Sequence, residues 1–517
     1  MSRRAGVLIP LFSIRAGDRS WGLGEIPDLV AFAGWAARAG FQVVQILPVN
    51  EPSGGQASPY AARTAFAIDP VYISLEALDD FQRAGGTGAL PDELRARLDA
   101  ARASEQIRWE DVRPLKDVAL RIAFRHFAAT APGTWRMAAL EAFAREEADW
   151  LDEYTLFAAI HDEQGSVAWP DWPAPLRNRE AAALAEARER LADNIAEKRY
   201  IQWVAHEQWH TAREEALGLG VELMGDLPFL VAADSADIWS RAHEFRLDLS
   251  TGVPPDAFSE DGQDWGLPVF RWDVIERGGH AWMRARAHRA AELYGLFRVD
   301  HVVGLYRTFY RPAAGPHNGP GLFTPSTEAE QTRLGELNLT ILDGRHDGAG
   351  ERVIAEDLGT VPPFVRASLR RLAIPGYRVL RWEKDGTVFR DPAGWPALSV
   401  GTTGTHDTEA LADWYDALED AEWRAFVDIP ALAPLRERGL RRFDSDVRDI
   451  ILACVYGSGS DLILLPFQDA LGSRGRVNVP GTVNAENWTY RMPVDVAEVG
   501  EIERLADLAA RSGRLGR

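Results

Sequence analysis

The chain has 517 residues, of which 46% are hydrophobic and 26% charged, a balance that builds a large core and excludes a disordered tail. Its formal net charge of -20, from 57 Lys+Arg against 77 Asp+Glu, repels phosphate backbones and anionic lipid alike, so nucleic acids and membrane surfaces are poor partners. A single cysteine, Cys454, forms no internal disulfide and no thiolate metal cluster, which fits a reducing, cytoplasmic setting.

In chain order, the apolar run Val7 to Phe12 is broken by Pro10 and soon meets Arg15, Asp18 and Arg19, so it reads as a first strand over 6–12 and not as a signal sequence. An amphipathic helix over 28–39, with apolar Leu29, Phe32 and Ala36, leads to a second strand over 41–47. A helix over 196–219 precedes a third strand over 221–226. Further strands over 296–300, 352–356, 377–382, 398–404 and 461–465 are interleaved with helices such as 282–294 and 363–372. Gly40, Gly220 and Gly295 stand just past three of the helix ends. No apolar stretch approaches the ~20 residues of a membrane-crossing helix.

Buried strands alternating with helices argue for an α/β protein, and eight such units predict a (β/α)8 TIM barrel forming one catalytic domain over 1–517. Such barrels need only about 250 residues, so the excess belongs to insertions. One runs over 51–195 after strand two, mostly helical over 91–157 ahead of Trp169-Pro170-Asp171-Trp172-Pro173; another runs over 227–281 after strand three. Both are strand-to-helix connections and so decorate the face where barrel active sites lie.

Acidic residues cluster at the same strand ends: Gly225-Asp226, Arg298-Val299-Asp300-His301, Ala355-Glu356-Asp357 and Gly404-Thr405-His406-Asp407. Singly, each could cap the following helix. As a set they converge on one mouth, either as an Arg-carboxylate network of purely structural value or as a catalytic group. Alternation puts Arg298 and Asp300 on one side of strand four, where the guanidinium favours an ionised, nucleophilic carboxylate. Glu356 ends the adjacent strand, about 4.8 Å away, which suits the ~5 to 5.5 Å separation of a retaining glycosidase pair. Crowding by Asp300 is expected to raise the pKa of Glu356, as a general acid requires. The loop over 254–266 sets hydrogen-bonding groups between aromatic rings, a mixture that grips sugar hydroxyls and stacks on pyranose faces, and Ser58-Pro59-Tyr60 opens the other insertion similarly.

These runs, with Trp21-Gly22-Leu23-Gly24, Asp234-Ser235-Ala236-Asp237-Ile238-Trp239 and Asn487-Trp488, resemble the amylomaltases, the 4-alpha-glucanotransferases of glycoside hydrolase family 77, over nearly the whole chain. The resemblance implies Asp300 as nucleophile, Glu356 as acid/base and Asp407 as the third carboxylate, which holds ring hydroxyls and stabilises an oxocarbenium-like transition state. It implies supporting roles for Arg298, His301 and His406, and positions near bound glucan for Tyr60, Asp226, Asp256, Gln263 and Trp265. The implied partners are α-1,4-glucans and maltooligosaccharides, with no metal and no cofactor. The chain departs from the family pattern at Thr408, where Asn is common, and over 306–334, and both departures bear on acceptor preference.

Other functions stay open at this level. An α-glucan hydrolase would use the same residues. An enolase-type barrel would hold Mg²⁺ on Asp226, Asp300 and Glu356, although strand two ends Leu47-Pro48-Val49-Asn50 without the lysine base such chemistry often uses, and Lys384 sits between two acids. A non-catalytic glucan-binding protein would be expected to lose Arg298, Asp300 and Glu356 first, and all three are present. Oligomeric state is not written in the sequence.

Overall fold

The computed structural model describes residues 3–17, 19–54, 57–255, 261–316, 319–344 and 351–515. Eight parallel strands close into a barrel: β1 (Arg4–Leu8), β2 (Val43–Gln45), β3 (Glu222–Leu227), β4 (Leu296–Val299), β5 (Val353–Ala355), β6 (Gly376–Val379), β7 (Ser399–Thr402) and β8 (Leu462–Pro466), each bonded to its neighbours in sequence and β8 to β1. The fold is therefore the expected (β/α)8 barrel. Six of the observed strands are shorter than the runs that announce them, while β3 and β8 keep their length and shift by one residue. Pro10 lacks an N–H for the ladder, so β1 stops at Leu8 and Leu11–Ser13 form a turn of 3-10 helix.

Two apolar layers account for the double-sided burial. Leu8, Val43, Met224, Leu296, Ile354, Tyr377, Val379, Val400, Leu462 and Leu464 fill the barrel interior. The alternate residues face the surrounding helices, as where α1 (Asp28–Arg38) buries Leu29, Phe32, Ala33, Trp35 and Ala36. The seam between β8 and β1 is held from the far end of the chain by Arg514, which is fully buried. Its guanidinium donates to the carbonyls of Tyr456 (3.0 Å), Asp461 (2.9 Å), Ser460 (2.7 Å), Ser458 (3.2 Å) and Arg4 (3.2 Å), using the whole donor fork of the side chain.

Between β2 and β3 the chain forms mostly helices, among them α2 (Asp92–Ala103), α3 (Trp109–Thr130), α4 (Ala148–Glu163) and the long α5 (Ala192–Gly218). Lys116 of α3 is 1% exposed and donates to Glu25, itself 2% exposed just ahead of α1, and to the carbonyl of Ile73. One buried ion pair thus ties the helical insertion to the barrel.

Strands absent from the sequence reading form a four-stranded antiparallel sheet beside the barrel, ordered Gln263–Phe270, Phe245–Val253, Thr308–Pro312, Leu322–Thr324. It joins the connection after β3 to the one after β4, two segments far apart in sequence. Arg246, Leu247 and Asp248 are all exposed, so the usual alternation of buried and exposed residues is missing from that strand.

Replacing Lys116 by Ala strands the Glu25 carboxylate in an apolar setting and is expected to cost about 3 to 5 kcal/mol. The paired change Lys116→Met with Glu25→Leu should recover most of that loss. Chemical denaturation of the three proteins checks the prediction, and an unaltered midpoint for Lys116→Ala would refute it.

Candidate active site

Strands β3, β4 and β5 bring their carboxylates to one place by register. Asp226 lies opposite Arg298, Arg298 opposite Ile354, and Val299 opposite Ala355, which sets Asp300 beside Glu356. Met224, Leu296 and Ile354 point into the barrel. Residues two further along, Asp226, Arg298 and Glu356, point the same way at the mouth, and Asp300 continues the Arg298 face. The ladder is extended by Asp300 N–H donating to Leu227 O (3.0 Å) and Glu356 N–H donating to Val299 O (3.0 Å).

Arg298, buried, is the hub. Its Nη1 donates to both oxygens of Asp226, at 2.7 and 2.8 Å, and lies 2.8 Å from Asp300 Oδ1, while Nη2 lies 4.0 Å from Glu356 Oε2. Burial disfavours the guanidinium charge, but Asp226 and Asp300 outweigh it and hold the Arg298 pKa well above its ordinary value. The carboxylates that a Mg²⁺ site would require converge instead on a guanidinium.

Glu356 accepts the backbone N–H of His301 at Oε2 (2.8 Å) and of Leu358 at Oε1 (3.0 Å). Its pKa is pushed up to about 8, first by burial and then by the charge of Asp300, against the opposing pull of Arg298 and the two N–H groups. Crowding, the cause expected from sequence, is thus the lesser one. His301 reaches Glu356 because its backbone is left-handed, φ 45°. Its ring sits edge-on to Trp265 (4.8 Å) and Phe229 (5.7 Å), and burial pushes its pKa down to about 4, so the imidazole is neutral at physiological pH.

On the opposite side, the Tyr60 hydroxyl donates to Asp226 Oδ2 (2.8 Å) and lies 3.1 Å from His406 Nε2, with the two rings stacked at 5.3 Å. Burial, then the Asp226 charge, raises the Tyr60 pKa well above its ordinary value, so the hydroxyl keeps its proton. Asp407 follows β7 in a turn that Thr405 and Thr408 close on each other: the Thr408 hydroxyl donates to Thr405 O (2.9 Å) and accepts its N–H (3.1 Å). The side chain expected to bear on the acceptor is therefore buried and engaged within its own turn.

The structure thus gathers Tyr60, Asp226, Arg298, Asp300, His301, Glu356, His406, Asp407 and Trp265, with Gln263 accepting the Trp265 indole N–H at 3.1 Å. Asp256 lies outside the described residues. Three neighbours had no assigned role in the sequence reading. Asn478 Nδ2 donates to Asp407 Oδ1 (2.6 Å), Arg476 Nη2 donates to Asp407 O (2.7 Å), and the Trp488 ring lies 6.0 Å from Tyr60 and 6.1 Å from His406. Asn478 and Arg476 stand in a coil segment with no periodicity, where only the Pro480-Gly481 turn signal marks the sequence. A cleft of about 740 Å³ between the side sheet and the helix Glu328–Leu342 shares no residue with this cluster, and its Arg333 and Arg246 are already paired with Glu276 and Asp248.

Comparison with known proteins places this geometry among relatives. A family model described as 4-alpha-glucanotransferase, glycoside hydrolase family 77, matches residues 9–496. The chain is 34% identical to a 4-alpha-glucanotransferase of Thermus thermophilus over 89% of each chain, and 30% identical to a chloroplastic/amyloplastic 4-alpha-glucanotransferase of Solanum tuberosum over 99% of this chain and 87% of that one. Its fold superposes on an amylomaltase from Streptococcus agalactiae solved in complex with acarbose, with a TM-score of 0.83 and 25% identity over 99% of this chain and 100% of that one.

The raised pKa of Glu356 has a consequence for stability that needs no substrate. The folded protein retains a proton that the unfolded chain releases above about pH 4.5, so stability falls as pH rises from there to about 8. Glu356→Gln removes that loss. The variant should match the parent near pH 5 and exceed it by a few kcal/mol at pH 8, each pKa unit being about 1.4 kcal/mol. Thermal unfolding across that range checks this, and a gap independent of pH would contradict it.

Proposed function

The chain belongs to the 4-alpha-glucanotransferases of glycoside hydrolase family 77, and from that premise we propose that Asp300, Glu356 and Asp407 divide its chemistry between them. The enzyme moves α-1,4-glucan segments to the 4-hydroxyl of an acceptor glucan or glucose by a retaining double displacement. The observation that carries the residue assignment is the unequal hold of Arg298: 2.8 Å to Asp300, 4.0 Å to Glu356. One carboxylate is neutralised by a fixed positive charge, while its neighbour in register is buried, less well paired and able to hold a proton.

In this reading Asp300 attacks the anomeric carbon as Glu356 protonates the departing oxygen, giving a covalent glycosyl-enzyme. Glu356 then takes the proton of the acceptor 4-hydroxyl as that oxygen displaces Asp300. Asp226 keeps Arg298 in place, and the neutral His301 fixes the N–H that orients Glu356. Asp407 and His406, backed by Tyr60, lie where ring hydroxyls of the donor would be held, so that their hydrogen bonds strengthen as the ring flattens toward the transition state. Trp265 and Trp488 supply flat apolar faces for neighbouring sugars. Transfer exceeds hydrolysis only where the acceptor outcompetes water, and these rings support acceptor binding.

We read the donors as maltooligosaccharides and the 1–517 chain as one catalytic unit, with the segments 51–195 and 227–281 forming the walls of the glucan cleft. Cytoplasmic residence is supported by the single cysteine, buried Cys454. No described helix is long and apolar enough to cross a membrane.

Maltotriose without added metal should give glucose and a ladder of longer chains by chromatography, whereas glucose and maltose alone would indicate a hydrolase. Asp300→Asn should fold normally and lose at least about a hundredfold in turnover, because an amide does not attack carbon one. Retained activity or an inverted product would overturn the assignment.

Glu356→Gln should collapse cleavage of natural bonds yet still load Asp300 from α-glucosyl fluoride, whose leaving group needs little protonation. Trapped glycosyl-enzyme should then appear by intact mass. In the parent, kcat/KM should fall above an apparent pKa near 8 as Glu356 loses its proton. If Asp407→Asn rather than Glu356→Gln were selectively rescued by the fluoride, the two roles would be exchanged.

A further inference from the structure

Asp407 leaves strand β7, yet its carboxylate is held by a residue 71 positions further along the chain. Asn478, buried, donates Nδ2 to Asp407 Oδ1 at 2.6 Å, and His406 Nε2 lies 3.4 Å from the same oxygen. Arg476 ties the two backbones together, Nη2 donating to Asp407 O (2.7 Å) and Nε to Asn478 O (2.8 Å). Among the described residues no hydrogen bond is made to the second oxygen, Oδ2. The segment that presents Asn478 is in turn anchored. Trp488 N–H donates to Val477 O (2.7 Å), and Asn487 Oδ1 accepts Val479 N–H (3.0 Å). Trp109 Nε1, on the helical insertion, donates to Trp488 O (3.0 Å), Ile107 N–H donates to Thr489 O (2.9 Å), and Arg491 donates to Ser104 O (2.7 Å) and Arg102 O (3.0 Å).

The geometry assigns Asn478 as the positioning residue of Asp407, selecting Oδ2 as the oxygen offered to the donor ring and making the helical insertion the abutment against which that oxygen is held. A carboxylate free to rotate presents either oxygen and must be frozen before it can bind the distorted ring; one oxygen already covered by an amide removes that cost in advance. Asparagine suits the task because its N–H₂ donates at every working pH, with no charge of its own to repel or titrate. The Arg476 guanidinium binds the carbonyls of Asp407 and Asn478 and lies 4.0 Å from Glu409 Oε2, and so fixes the turn through its backbone. The inference rests on the role proposed above for Asp407.

Asn478→Ala should lower kcat about tenfold with little change in KM, the size expected for losing one hydrogen bond to a charged group. Asn478→Asp is the sharper test and is nearly isosteric. In acid the introduced carboxyl donates its proton to Asp407 much as the amide did, and activity persists. As pH rises that proton is lost and two carboxylates face each other within hydrogen-bond distance, so kcat should fall through a new limb below pH 7 that the parent lacks. A residue that merely shaped the loop would shift the melting temperature of both variants without creating that limb. A pH–kcat profile of Asn478→Asp superposing on the parent's, or a parental kcat for folded Asn478→Ala, overturns the inference. Asp407→Asn measured alongside separates the two readings: parental turnover there defeats the assignment of Asp407 itself, whereas an inactive Asp407→Asn with parental Asn478 variants defeats only the inference about Asn478.

Discussion

One guanidinium organises this barrel mouth. Three strands deliver three acids to neighbouring register positions over an apolar interior, a grouping that mutual repulsion and desolvation would otherwise force to take up protons indiscriminately. Arg298, set two residues before Asp300 on the same strand face, stands at unequal distances from them, and they are unequally buried as well. It doubly contacts Asp226, touches Asp300 and stands off from Glu356. The result is three chemically similar groups held differently: Asp226 and Asp300 touch the cation, while Glu356 stands off from it and has its pKa pushed up to about 8, chiefly by burial.

The rest of the structure keeps that arrangement stiff. The layer of Met224, Leu296 and Ile354 beneath the mouth excludes water and fixes the strands in register. Arg514 clasps the β8–β1 seam through five carbonyls, so the barrel is closed by a residue that no strand contains. Lys116 with Glu25 and Arg491 with the carbonyls of Arg102 and Ser104 fasten the helical insertion at two places, one beneath it and one through the carboxy-terminal segment. Buried polar ties of this kind add little net stability, but they allow few alternatives, because each broken partner leaves an unsatisfied group. Sub-ångström control of a sugar ring demands such uniqueness more than it demands stability.

Both halves of the active centre show how the backbone sets chemistry. The left-handed turn at His301 aims an N–H at Glu356, and the Thr405–Thr408 ring aims Asp407 at the mouth. At position 408, where the chain departs from the family pattern, the hydroxyl closes the turn that carries Asp407.

Much was legible in the sequence because it is local. Short apolar runs and strand-end acids are local signals, so the eight strands and the alignment of Arg298 with Asp300 needed no contact information. The side sheet was not legible, since its central ladder pairs residues some sixty positions apart, such as Gly252 and Phe309, and one of its strands lacks the alternation of buried and exposed residues. Nor were Asn478 and Arg514, which act through carbonyls and carboxylates brought near only by closure of the barrel. The order of causes behind the Glu356 pKa was also hidden: the sequence names the neighbouring charge, but burial, which raises it more, is a property of the packed mouth. Residue type and spacing therefore determined which groups could react, through the fixed geometry of the strand. Only the tertiary structure decided how each is held, because desolvation and hydrogen-bond partners are created by segments that the chain itself keeps far apart.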